Sequence, residues 1–275
     1  MNKLPKKNPA PGYRGRITND AALLPEVLRP LGWNSFAVGK WHLTPMHHTG
    51  PAGPFHQWPT QRGFDRFYGI LKGGSDYFRH SPDNQVDAYR SPLMDGEQPS
   101  KDIGYLTELL GHRAEQEIAA AGKDRVPLFL SLHFNAPHWP WEGPEDKAVS
   151  DELKALQHYD GGNLATYRKM LFAMDKAIGG VLKAIESRGN ARNTIVIFTS
   201  DNGPWLSYGD HAGSAGMLRE GKGTAFEGGH RVPCVARLPG RIPSGTVCDE
   251  PLMTIDVLPT VASLTGRPLP TDAEG

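Results

Sequence analysis

Cysteine is scarce: Cys234 and Cys248 are the only two among 275 residues, and they have neither CxxC nor zinc-type spacing. That excludes a zinc knuckle and a thioredoxin-like pair, and two buried, unpaired thiols are the expectation. Net charge is also lacking, since 30 Lys plus Arg balance 30 Asp plus Glu. Nothing at the level of the whole chain then points to nucleic acid or an acidic membrane surface, and recognition of any anion must be local. Long apolar runs are missing as well. The longest, around Val126 to Phe134, is far too short to span a bilayer, and Lys3, Lys6 and Lys7 are followed by Pro, Gly, Tyr and Arg rather than by the apolar core of a signal peptide. No fixed repeat organises the 32 glycines and 24 prolines, which are expected in loops.

What is present is 38% hydrophobic residues, enough for a buried core. Residues 1–17 are basic and Pro-rich and read as an extended arm; 18–275 read as an α/β domain. Residues 20–31 predict a short helix with Leu23, Leu24, Val27, Leu28 and Leu31 on one side, ended early by Pro30 and stopped at Gly32. Ser35 to Val38 reads as a buried strand. A long loop follows, then a helix over Thr107 to Ala121 stopped by Gly122, and an interior strand within Pro127 to Phe134. The strongest helical period covers Asn163 to Arg188 and ends at Gly189. Thr194 to Thr199 and Arg231 to Leu238 are further strands. Thr254 is expected to cap a last helix through Thr265, with Ile255, Leu258, Val261 and Leu264 inward. Strands alternating with helices predict a mostly parallel central sheet with helices on both faces, and such sheets place ligands at the carboxyl ends of strands.

Four polar clusters follow strands or lie between them: Gly39-Lys40-Trp41-His42, Ala136-Pro137-His138-Trp139, Ser200-Asp201-Asn202-Gly203, and Gly221-Lys222-Gly223-Thr224 leading to Glu227-Gly228-Gly229. Lys40, Lys222, His42 and His138 are suited to surround one anionic group, and Asp201 with the Asn202 amide oxygen is suited to a hard cation beside it. Taken singly, each is ordinary, because strand-end lysines are usually solvated and Asp-Asn-Gly is a common turn. Trp139 and Trp141, next to His138, are candidates for an aromatic wall, although packing explains them equally well. Asp76 and Tyr77, after Gly73-Gly74, are candidates for the border of the same pocket but read most simply as a turn, and His211 and His230 are near the clusters only in sequence.

The joint order of PGYRGRI, LRPLGWNSFAVGKWHLTP, GFDRFYG, FLSLHFNAPHWP, TIVIFTSDNG, GKGTAFEGGHRVP and TIDVLPTVASLTG resembles the sulfatase family of the alkaline phosphatase superfamily. The resemblance implies that Lys40 and Lys222 neutralise sulfate oxygens. It implies that His138 contacts the sulfate or the leaving oxygen, that His42 pairs with the nucleophile, and that Asp201 and Asn202 form half of a Ca2+ site; Trp139 is a candidate for substrate binding. It further implies a formylglycine nucleophile made within a C/S-x-P-x-R segment, which this sequence does not contain. The chain is accordingly expected to be a fragment that is inactive alone, from a calcium-dependent parent acting on a sulfated small molecule or sulfated sugar and carried to an exported or lysosome-like setting. Two rivals stand beside this reading: a phosphodiesterase or phosphonate hydrolase of the same superfamily, and a non-catalytic anion-binding protein. Asn202 in a position where dinuclear zinc enzymes want His counts against the first.

Overall fold

The computed structural model describes residues 15–19, 21–50, 52–80, 92–124, 126–152 and 162–266. Most of the expected N-terminal arm lies outside these residues. The centre is a five-stranded sheet built on β1 (Asn34–Lys40), which pairs in parallel with β2 (Arg66–Ile70) on one side and β5 (Leu128–His133) on the other. Two short antiparallel strands, β3 (Met94–Asp95) and β4 (Gln98–Pro99), complete the order β4-β3-β2-β1-β5. β6 (Val196–Thr199) and β7 (Cys234–Arg237) form a separate antiparallel ribbon. The α/β class and largely parallel central sheet are as the sequence predicts. Pro127–Phe134, however, supplies an edge strand rather than an interior one, because among the described residues β5 pairs only with β1. β2 was hidden in the presumed loop, since RFYGI is brief and interrupted by Gly69.

Alternation along β1 sends Ala37 and Val38 to opposite faces. On Val38's face, Tyr68 and Ile70 pack beneath Leu106 and Leu110 of α2 (Leu106–Asp124) and Met170 and Ala173 of α4 (Leu164–Ser187). On Ala37's face, Trp41, Phe67 and Met94 meet Trp58 and Phe64 from the loop after β1, with Leu23 ahead of α1 (Leu24–Leu28) at the margin. The two long helices run close: a Cβ on Gly111 would lie 2.8 Å from the Ala177 methyl; the short α3 (Lys147–Glu152) lies between them in the chain, and the short α5 (Glu227–His230) follows α4.

Helix ends show where local signals hold. Pro25 sits in the first turn of α1, whose start is stabilised by the Leu23 N–H donating to Glu26 Oε2 at 2.7 Å. Gly32 then adopts the left-handed conformation after a short 3₁₀ turn, Arg29–Leu31, that absorbs Pro30. α4 is capped by Asn163, whose Oδ1 accepts from the Thr166 N–H at 2.8 Å. α2 overruns its expected stop at Gly122 because Arg188 Nη2 donates to the Ala121 carbonyl at 3.4 Å and to Val126 O at 2.8 Å, satisfying acceptors that a helix end leaves open. Thr254 is not a cap. It opens a 3₁₀ turn in which Asp256 Oδ2 accepts from the Met253 N–H, and α6 (Val257–Thr265) begins after it. Ile255 and Leu264, expected inward, are exposed.

The β6–β7 ribbon exposes Ile197, Phe198 and Val235. Cys234, at the start of β7, and Cys248, in the loop after it, are therefore free and exposed, contrary to the expectation of buried thiols. Among the described residues no helix is long and apolar enough to cross a membrane.

Gly39 is one of the tightest points in the fold. Its φ is +108°, and a Cβ there would sit 1.9 Å from the His133 carbonyl oxygen. Gly39→Ala is expected to cost more than about 3 kcal/mol, since strained φ and a backbone clash act together. Gly32→Ala, at φ +76° with nothing near the new methyl, should cost about 1 kcal/mol. Urea unfolding of both variants checks this, and equal losses would mean that the crossing of β1 and β5 is loose.

Candidate active site

Lys40 is the last residue of β1, two positions before His42. His42 has φ +54°, a left-handed conformation that costs a non-glycine residue energy and re-aims the chain where β1 ends. The backbone at Gly73 lies flat against its ring, because a Cβ there would come within 2.6 Å of His42 Cε1. At the next residue, Gly74, a Cβ would be 3.3 Å from His138 Cε1. Adjacent glycines thus let one strand of backbone pass both histidines, a signal visible in the sequence as Gly73-Gly74.

Asp201 and Asn202 follow β6, and their loop is zipped to the one that carries Lys222. The Gly203 N–H donates to Gly229 O at 3.1 Å, and the Lys222 N–H donates to Pro204 O at 2.8 Å. A Cβ at Gly203 would meet the Gly228 oxygen at 1.8 Å, so the DNG and EGG glycines are required by this contact. Across the gap between sheet and ribbon, Lys40 Nζ reaches Asp201 Oδ2 at 3.4 Å. The Asn202 side-chain amide donates to Gly203 O at 2.9 Å, with O and N assigned from that bond.

The charges confirm mutual proximity. Burial opposes ionisation of Asp201, but the Lys40 and Lys222 ammoniums prevail and hold its carboxyl below the usual range. Lys222 is lowered by burial and by Lys40, against the pull of Asp201. His138 is pushed down to about 4 by burial, then by Lys40 and Lys222. His42 is likewise lowered to about 4 by loss of solvent and by the same lysines; since the residue is exposed at the rim, the lysine charges deserve the greater weight. At neutral pH the basin therefore holds two ammoniums, one carboxylate and two uncharged imidazoles. His138 Nδ1 lies 2.7 Å from the Trp139 carbonyl, which only accepts, so the ring's proton is on Nδ1 and its Nε2 carries the lone pair.

Behind His138 is a buried polar hub. Tyr77 donates its hydroxyl to His138 O at 2.9 Å and its N–H to Glu142 Oε2 at 2.9 Å. Asp76 is fully buried. It accepts from the Phe78 and Arg79 N–H groups at 2.9 and 2.7 Å and from Arg79 Nε at 3.0 Å. Burial, followed by Asp76, raises the Glu142 pKa far above the usual carboxylate range. Asp76 and Tyr77 are thus a structural keystone rather than a plain turn, and sequence offered no sign of it.

The remaining candidates separate. Trp139 leans on His138 with ring centroids 5.7 Å apart, half-buried. Trp141 is buried and packs edge-on against Tyr208 and His211. His211 thus serves that aromatic packing. His230 is exposed and faces Glu227 on its own short helix. A cavity of about 290 Å³ lined by Asn19, Glu26, His56, Gln61 and Arg62 shares no residue with the basin.

Calcium requires six or more oxygens. Asp201 and Asn202 offer a fraction of that number, Asp201 already faces an ammonium, and no group of three or more His, Cys, Asp or Glu suited to a metal occurs among the described residues. These residues alone do not fit a calcium shell.

A cationic basin formed where β1 and β5 end and where the loops of the β6–β7 ribbon meet them, with neutral histidines and a carboxylate, has the chemistry that suits a tetrahedral oxyanion. The chain belongs to the sulfatase family, whose model matches residues 2–267. It is 33% identical to mouse arylsulfatase J over 89% of this chain and 39% of that protein. It is 31% identical to human arylsulfatase A over 94% of this chain and 50% of that protein, and 32% identical to mouse N-acetylgalactosamine-6-sulfatase over 94% and 48%. The chain therefore spans about half the length of these relatives or less. Among solved structures, Ps i-CgsB in complex with k-i-k-neocarrahexaose superposes with TM-score 0.81 at 30% identity, covering 99% of this chain and 59% of that one. The PsFucS1 sulfatase from Pseudoalteromonas sp. gives 0.70 at 25% identity, covering 90% and 50%.

The histidine shifts carry a sign. With folded pKa values near 4 against 6.5 unfolded, the unfolded chain takes up protons first, so stability is full above pH 6.5 and is lost as pH falls toward 4. Urea midpoints at pH 7, 5.5 and 4.5 should drop in that order, and His138→Gln should shallow the drop. An unchanged slope in the variant would mean that His138 is not desolvated.

Proposed function

We propose that this chain carries the sulfate-binding part of a sulfuric ester hydrolase acting on a sulfated sugar or an aryl sulfate. The observation that supports this most is the pair of ammoniums, Lys40 and Lys222, each shifting the same two imidazoles and sharing one carboxylate. Two like charges so placed repel, and a tetrahedral anion between them relieves the repulsion; at about 4 Å and an effective dielectric near 20 each contact between unit charges is worth roughly 4 kcal/mol before desolvation. Asp201 holds Lys40 in place through its 3.4 Å contact. His138, once an anion raises its pKa, protonates at Nε2 and becomes a donor for a sulfate oxygen or the departing ester oxygen. His42, on its strained backbone, is suited to proton transfer at the nucleophile. Asp201 and Asn202 would supply part of a calcium shell whose other donors are not among the described residues.

The sugar option is supported by the names of similar proteins, one an N-acetylgalactosamine-6-sulfatase and one crystallised with a neocarrahexaose. Because the sequence contains no C/S-x-P-x-R segment, the 275-residue chain is expected to bind inorganic sulfate without hydrolysing 4-nitrophenyl sulfate. Calorimetry and a colorimetric assay check the two halves. Lys222→Ala should weaken sulfate binding at least about tenfold, and binding should consume protons between pH 5 and 7. In a polypeptide that joins this chain to the nucleophile, Lys40→Ala or Lys222→Ala should each remove about 2–4 kcal/mol of transition-state stabilisation. Sulfate binding untouched by either substitution would end the reading, and hydrolysis by the chain alone would refute the expected need for that segment.

A further inference from the structure

Trp205 is large, aromatic and exposed, yet it is held firmly. It follows Pro204, whose carbonyl takes the Lys222 N–H, and its own carbonyl accepts from the Tyr208 N–H at 3.1 Å, closing a 3₁₀ turn over Leu206–Tyr208. Its ring meets Tyr208 edge-to-face at 4.8 Å, and Tyr208 meets Trp141 in the same way at 4.6 Å. Trp141 is buried and braced in turn by His211 at 4.6 Å. An aromatic relay anchored in the interior thus fixes the orientation of a residue that remains 38% exposed. Lys222 Nζ lies 5.0 Å from the centroid of the Trp205 ring. The exposed indole therefore carries, over one face of its ring, one of the two ammoniums that define the basin.

Other aromatics near the basin are occupied. Trp141 is packed on its neighbours and Trp139 leans on His138. Trp205 alone of these combines exposure, a rigid mount and adjacency to Lys222. A pyranose has one face of C–H groups that packs well on an indole, and such amphipathic surfaces are what an exposed, pre-oriented Trp recognises at low entropic cost.

We propose that Trp205 is the platform on which the sugar ring of a sulfated saccharide stacks while its sulfate lies between Lys40 and Lys222. The assignment rests on the sulfate-binding reading above and replaces Trp139 and Trp141 as the aromatic wall: Trp141 supports the platform through Tyr208, and Trp139 lies against His138. It also sets substrate preference, since a sulfate ester without a ring gains nothing from Trp205.

The test compares methyl sulfate with N-acetylgalactosamine 6-sulfate, titrated by calorimetry into the full chain and into Trp205→Ala, Trp205→Leu and Trp205→Phe, with circular dichroism to verify folding. The wild-type chain is expected to bind the sugar sulfate at least about tenfold more tightly than methyl sulfate. Trp205→Ala and Trp205→Leu should erase that preference while shifting methyl sulfate by less than about threefold, and Trp205→Phe should restore part of it. Equal losses for both ligands would overturn the platform and leave Trp205 as a prop for Lys222. A preference that survives in the folded Leu variant, or that is absent from the wild type, would overturn it as well. If the wild-type chain binds neither compound, the sulfate reading itself falls and the platform with it.

Discussion

Two lysine ammoniums facing one carboxylate across the gap between a parallel sheet and a separate ribbon are the constraint from which the rest of the site follows. Lys40 rides on the last residue of β1 and Lys222 on a loop stitched to the segment after β6, so the basin exists only if sheet and ribbon are held in register. Asp201 offsets one positive charge, and the single positive charge that remains is what the monoanion of a sulfate ester would neutralise. Burial, with the same excess behind it, keeps His42 and His138 uncharged at neutral pH, so that they are free to take up a proton when a ligand binds.

The fold spends its glycines on making this approach possible. Gly39 lets β1 pass the His133 carbonyl, Gly73 and Gly74 let backbone slide past two imidazoles, and Gly203 and Gly228 let two loops touch through main chain alone. Behind them, the buried Asp76, Arg79, Glu142 and Tyr77 hub fixes the carbonyl end of His138. A polar network so deep is costly unless fully bonded, which ties the geometry of the histidine to the packing of the whole domain.

The long helix α4 was legible because its period is sustained over many turns, and β1 because a compact apolar run ends in glycine. The site clusters were legible as chemistry, since lysines, histidines and Asp-Asn after strands suit an oxyanion. What could not be read is whatever distant contacts decide. Arg188 prolongs α2 past Gly122, and Asp256 rather than Thr254 holds the entry to α6. Asp76 is drawn from an apparent turn into the core by Ser150 and Arg79. Cys234 looked buried because its neighbours are apolar, but the antiparallel ribbon leaves them exposed. Trp205 carried no sequence signal, since its importance arises from where the Lys222 loop folds back.

Anomalous diffraction from crystals of the chain soaked in tungstate, a heavy tetrahedral dianion, tests the basin most directly. One dominant peak within hydrogen-bonding reach, about 3 Å from ammonium nitrogen to anion oxygen, of both Lys40 and Lys222 is the expected result. Peaks scattered over surface lysines, with none between these two, would contradict it.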